Sequence, residues 1–160
     1  MKLNRVGVLG VTAILLFAAC SNTGTAPSAG TGSSAAPGGS VAAGAKGKLK
    51  LGVTLPLSGG AAADGQPTMK GAKLKVDEVN AAGGVAGYTI DLVNLDHSVN
   101  GKYNEQQGAQ DMQTFVADPA VIGVVGPYNS AVAKVQIPIS NSAGLLQCSP
   151  ANTNETLTKP

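Results

Sequence analysis

The run Val121-Ile122-Gly123-Val124-Val125 constrains this chain more than any other stretch. It is apolar without alternation, which suits a parallel strand covered by helices on both faces. Its surroundings agree with that. Leu49 to Leu55 reads as a first strand ended by Pro56, and Tyr88 to Leu95 as a second. Between them Met69, Ala72, Val76 and Val79 recur at helical spacing, with Pro67 suited to the first turn and Gly83-Gly84 to the stop. Glu105 to Val116 reads as a second helix, with Ala109, Met112 and Val116 inward and Asp118-Pro119 closing it. Ser130 to Ser142 reads as a third, loosened or kinked by Pro138 and ended by Gly144. Leu145 to Cys148 is a fourth strand. Strand and helix alternate from first to last. Right-handed crossovers turn that order into an open, mostly parallel α/β sheet flanked by helices.

The N-terminal part obeys different rules. Lys2 and Arg5 precede the apolar run Val6 to Ala18, which is short for a transmembrane helix but suits a secretory signal. It ends in Phe17-Ala18-Ala19-Cys20, which resembles the lipobox of bacterial lipoproteins, with Phe17 where Leu is usual. The reading is a lipoprotein signal at residues 1–19, a diacylglyceryl group on Cys20, and a protein anchored on the outer side of the cytoplasmic membrane. Ordinary cleavage after Ala19 is the plainer alternative. Residues 20–48 hold the lipidated cysteine and a linker of Gly, Ala, Ser, Thr and Pro, too poor in apolar surface to fold. As a flexible coil the linker spans roughly 30 Å. Residues 49–160 are the folded part.

Composition excludes several classes. Lys2 and Arg5 leave with the signal, and the 11 basic residues become equal in number to the nine acidic ones. A neutral mature chain without basic runs gives no footing for nucleic acid. With Cys20 on lipid, Cys148 is a lone thiol, read as a small buried hydrophobe. His97, the only histidine, lies in a polar stretch and reads as solvent-facing. No nucleophile elbow, Cys/His metal spacing, phosphate loop or acid–base pair is present, so no catalytic residue, metal or cofactor is expected. Lys70, Lys73, Lys75, Asp77 and Glu78 read as the wet face of the first helix.

Ligands of open parallel sheets bind beyond the carboxyl ends of the strands. Three segments qualify: Pro56 to Gln66, Gly126 to Ser130, and Ser149 to Asn154. In the second, Asn129 or Ser130 stands at a helix start, where free N–H groups and the dipole favour a carboxylate. Ser130 as a mere helix cap is the competing reading.

Leu51 to Gly59, Gly71 to Gly87, Pro119 to Pro127 and Ser149 to Asn154, in this order and spacing, resemble the branched-chain amino-acid (leucine/isoleucine/valine) binding proteins. The resemblance implies a type I periplasmic-binding-protein lobe, with a hinge and second lobe absent from residues 49–160. It implies a substrate-binding receptor, not an enzyme, that presents an amino acid or amide to an ABC permease. By the same resemblance, the Ser130 and Thr153 hydroxyls hold the ligand carboxylate. The Tyr128 and Ala151 carbonyls receive its ammonium, and Asp64 lines the pocket. Asn129 and Asn152 complete the candidate set, Asn152 replacing a more usual Ala. The cysteines that some relatives link by a disulfide near the third helix are missing here. A sensor subunit, an exported α/β enzyme and a surface spacer are the alternatives. A lone first lobe is expected to bind no amino acid measurably and to be aggregation-prone.

Overall fold

A computed structural model describes residues 44–159. The signal, Cys20 and linker residues before 44 lie outside the described residues.

Four parallel strands form one sheet: β1 (Lys48–Leu55), β2 (Thr89–Asp96), β5 (Val121–Val125) and β6 (Gln147–Cys148), in the order β2-β1-β5-β6. A two-stranded antiparallel hairpin, β3 (Ser98–Val99) and β4 (Lys102–Tyr103), follows β2. The helices are α1 (Ala62–Ala81), α2 (Glu105–Ala117) and α3 (Ser130–Ala143). β2 and β5 flank β1 on opposite sides, so right-handed crossovers send α1 to one face of the sheet and α2 with α3 to the other. The expected α/β class and helix-flanked parallel sheet are therefore present.

The α2 side holds the main apolar cluster of Met112, Phe115, Val121 and Val124, with Val93, Leu95, Ile139 and Leu145 packed against it. Each such side chain contributes about 1.5–3 kcal/mol when fully buried. Gly52 makes the cluster possible. A Cβ there would lie 2.9 Å from the Phe115 ring. The inward stripe of α2 is accordingly rotated from the expected one. Phe115 is buried, while Val116 is 37% exposed, because the aromatic ring occupies the space above Gly52.

The expectation for Val121–Val125 also needs adjustment. The register between β1 and β5 shifts at Lys50/Leu51, a bulge that turns both Val121 and Val124 to the cluster. Ile122 is left 49% exposed, so this strand is not covered on both faces.

Helix α1 starts five residues before Pro67, not at it. The Ala61-Ala62-Ala63 stretch favours helix and outweighs the neighbouring glycines. Gly65 then lets the first turn press on the chain just past β1, since a Cβ there would meet the Pro56 carbonyl oxygen. The far end of α1 is tied to β2 by Asn80, which donates to the Ile90 carbonyl and accepts from the Ile90 N–H, both at 2.8 Å. Strand β6 is shorter than the expected Leu145–Cys148. The Leu145 N–H is taken by the Ser140 carbonyl in closing α3, after Gly144 in the left-handed conformation.

Two single-residue expectations are corrected. Cys148 is exposed, because among the described residues no helix covers its side of β6, where Leu146 is 72% exposed. His97 is fully buried, with Nδ1 3.1 Å from the Thr54 hydroxyl. The hairpin folds back after it, and its backbone is fixed by the bonds His97 N to Leu55 O and Asn104 N to His97 O. Thr54 also donates to Asp111 at 3.0 Å and accepts from Gln136 at 3.2 Å. With its one proton given to Asp111, Thr54 must accept from His97, which makes the imidazole an Nδ1–H tautomer with a bare Nε2. Nε2 is indeed buried without a partner.

Burial pushes His97 down to about 4, against the opposing pull of Asp96. The unfolded chain therefore takes up a proton near pH 6.5 that the folded chain takes up only near pH 4. Stability falls as pH drops through that window, by about 3 kcal/mol in full. Asp111, which burial pushes upward, works against this. Chemical denaturation from neutral pH to pH 4 is expected to show the loss, and His97→Gln a shallower dependence; equal slopes would contradict the assignment. Gly52→Ala is expected to cost about 1–3 kcal/mol by overpacking against Phe115, read from the denaturation midpoint.

Candidate functional site

The carboxyl ends of β1, β5 and β6 carry three connected segments. The first runs from Pro56 into α1 and is braced by the hairpin. The Leu57 and Ser98 N–H groups donate to Asp96 Oδ1 at 2.8 and 2.9 Å. Burial alone would raise the Asp96 carboxyl, but donation from Ser58, Leu57 and Ser98 outweighs it and holds the group below its ordinary value. Gly59, at φ +65°, lies against Gly101 so closely that a Cβ would overlap the Gly101 Cα. Tyr103 Oη donates to Asp64 Oδ2 at 2.6 Å. That bond, with burial and the nearby Asp64 and Tyr128 charges, pushes the Tyr103 phenol up to about 12.

The second segment runs from Gly126 to Ser130 across a cis Gly126–Pro127 peptide. Gly126, at φ +123°, sits against the Thr54 carbonyl, where a Cβ would overlap. Asn129 caps α3: its Oδ1 accepts from the Ala131 N–H at 2.9 Å and the Val132 N–H at 3.4 Å. Ser130, the first residue of the helix, is thus not the cap. Its hydroxyl accepts instead from the Thr153 N–H at 3.4 Å.

The third segment is folded by Ser149. Its hydroxyl donates to the Pro127 carbonyl at 2.7 Å and accepts from the Ala151 and Asn152 N–H groups. Asn152 Nδ2 donates to the Tyr128 carbonyl at 3.0 Å, using one of its two lone pairs. The second and third segments are therefore one unit.

Of the residues proposed from sequence, Tyr128, Asn129, Ser130, Ala151, Asn152 and Thr153 come together in this unit. Asp64 joins the hairpin through Tyr103. The side chains of Asn129 and Asn152 are engaged with backbone, as brace more than as free ligand groups. Sequence reasoning missed Ser149 and Tyr103. Ser149-Pro150 does carry a signal, because a serine hydroxyl before proline commonly closes such a turn. Tyr103 carries none; only the hairpin brings it to Asp64.

A cavity of about 370 Å³ flanks β6, lined by Ile137, Leu145, Leu157 and others. It shares Ser149, Asn152 and Asn154 with the crevice at the strand ends, and lies beside β6, which among the described residues has a strand neighbour on one edge only. Chemically, the crevice offers the Ser130 hydroxyl at the positive end of α3 with the Thr153 backbone beside it, a setting for a small anion. Among the described residues, no three His, Cys, Asp or Glu side chains form a metal site. The one histidine is engaged with Thr54, inside the core.

Asp64→Asn is expected to lower the Tyr103 phenol from about 12 toward the ordinary 10. NMR titration of the Tyr103 ring checks this, and an unchanged value would dissolve the pairing.

Comparison with known proteins gives consistent results. Residues 48–160 match a family model described as "Periplasmic binding protein". A Leu/Ile/Val-binding protein homolog 2 of Brucella abortus is 36% identical over 111 residues, covering 69% of this chain and 29% of that protein. The branched-chain amino acid transporter substrate binding protein LivJ from Streptococcus pneumoniae, solved with isoleucine, superposes with a TM-score of 0.64 at 36% identity, over 70% of this chain and 31% of that one. A substrate-binding protein of an ABC transporter from Desulfitobacterium hafniense, in complex with Leu, gives a TM-score of 0.61 at 31% identity, over 69% and 31%. The chain spans 29% of the length of the first Brucella relative.

Proposed function

Because the chain belongs to the periplasmic binding protein family, we propose that it is the ligand-binding part of an extracytoplasmic receptor serving an ABC importer. The receptor captures a branched-chain amino acid, or a related small polar solute, by lobe closure. It presents that ligand to a permease and performs no chemistry.

The observation that carries this reading is the division of labour at the start of α3. Asn129 takes the capping bonds, and Ser130 is left beside Thr153 with its hydroxyl at the positive end of the helix. That supports Ser130 and Thr153 as the carboxylate holders. The Ala151 carbonyl and the second lone pair of the Tyr128 carbonyl suit the ammonium. Asp64, held by Tyr103, is the residue we propose to meet a polar group on the ligand.

The layout we propose has a lipoprotein signal at residues 1–19, a lipidated Cys20 with a leash to residue 48, and part of an N-terminal lobe from 49 onward. Two acyl chains hold such a protein stably, where one gives only marginal binding. The remaining ligand contacts come from a second lobe. One lobe leaves the ligand open to water on one side and its charges partly unpaired.

Uptake of labelled leucine, isoleucine and valine by the source cells, with and without the gene, tests the import role. Loss of uptake is expected. Unchanged uptake with a lost transcriptional response would favour a sensor. Calorimetric titration of the 160-residue chain with L-leucine is expected to show no micromolar binding, and micromolar affinity would overturn the two-lobe requirement. Mass spectrometry of the mature N-terminus is expected to find diacylglyceryl on Cys20; an unmodified end at Cys20 would remove the anchor and leave export intact.

A further inference from the structure

Beneath the Gly126–Ser130 segment lies a directional chain of side-chain amides, half-buried at Gln147 and fully buried at Gln136. Gln147 Nε2 lies 3.2 Å from the Gly126 carbonyl and 3.0 Å from Gln136 Oε1, and it donates to both. Gln147 Oε1 accepts from the Ser140 hydroxyl at 3.0 Å. Gln136 Nε2 in turn donates to Thr54 Oγ1 at 3.2 Å and to the Gly108 carbonyl at 2.7 Å. Thr54 passes its proton to Asp111, whose other oxygen accepts from Gln107 at 3.0 Å. Gln136 and Thr54 are 0% exposed, Asp111 2% and Ser140 3%.

Both amide nitrogens spend both protons, and both amide oxygens accept. No orientation of either amide other than this one satisfies the same partners, because a flipped Gln147 would aim its oxygen at two acceptors. Gly108 makes the reach possible. A Cβ there would overlap Val132 Cγ1, so α2 and α3 approach closely enough for Gln136 to touch the α2 backbone. The chain thus begins at the binding segment and ends on β1 and α2.

We infer that Gln147 and Gln136 are positioning residues that hold the Gly126–Ser130 segment, and with it the Ser130 hydroxyl, at a fixed height above the end of β1. The inference rests on the receptor reading of that segment. Neither glutamine touches the crevice hydroxyls. They act through the Gly126 carbonyl, next to the residues that would meet the ligand.

The test is residue-resolved amide hydrogen exchange on the 160-residue chain and on Gln147→Met and Gln136→Met. Three amides report on the segment: Gly126, bonded to the Cys148 carbonyl, and Ala131 and Val132, bonded to Asn129. Both variants are expected to speed exchange at these three by about tenfold or more relative to Val53 and Val124 in the central strands. Gln136→Met is the sharper case, since Gln136 makes no direct contact with the segment. Unchanged exchange there, or equal acceleration throughout the sheet, would overturn the inference. Should neither variant fold, the unaltered chain still decides. Its Gln136 and Gln147 Nε2 protons are expected to exchange slowly, and rapid exchange would refute the chain of bonds. The readout needs no ligand, so a failure of the receptor reading would appear in uptake and leave this result untouched.

Discussion

The Thr54 hydroxyl, buried near the carboxyl end of the central strand, is the point on which the rest of the structure depends. It has one proton and two lone pairs, and all three are used: Asp111 from α2 accepts, Gln136 from α3 donates, and His97 from the end of β2 donates. Three elements from separate parts of the chain are thus fixed to β1 by one oxygen. A buried polar group costs heavily when any partner is lost and little when all are present. That asymmetry explains how a small, partly uncovered sheet holds a single arrangement. It also explains why the cluster lies directly below the segments that form the crevice, where position matters most.

Much of the fold was legible in the sequence, because period and punctuation carry it. Val121–Val125 announced a parallel strand, and the alternation of strand and helix announced the crossovers. What escaped was set by partners distant in sequence. Phe115 displaced Val116 from the core because Gly52, sixty-odd residues earlier, left space for a ring. His97 looked like a surface residue because nothing near it in sequence reveals Thr54. Pro67 pointed to a helix start because proline favours first turns, but the preceding alanines had already begun the helix. Cys148 was misplaced for a different reason. Its neighbours are apolar, yet among the described residues no helix covers that side of β6.

The site was legible in outline and not in its wiring. Helix-start chemistry pointed to Asn129 and Ser130 together, but only geometry separates the cap from the hydroxyl that turns to Thr153. Ser149 and Asn152 join two loops into one rigid unit through backbone carbonyls, which no side-chain pattern encodes. The family relationship adds the frame in which such a unit makes sense. A relative of which the matched region makes up only 29% carries the same region. In the proposed receptor a second lobe closing over this unit would complete the site.

The central claim is that the carboxylate-holding half of an amino-acid site resides in this region. Its most direct test is amide chemical-shift mapping of the isotope-labelled chain during titration with L-isoleucine. The account predicts small, non-saturating shifts confined to Tyr128–Ala131 and Ala151–Asn154, with no measurable affinity, as half a pocket allows. Shifts centred on the β6 cavity or on the outer face of α1, with Ser130 and Thr153 unmoved, would contradict it.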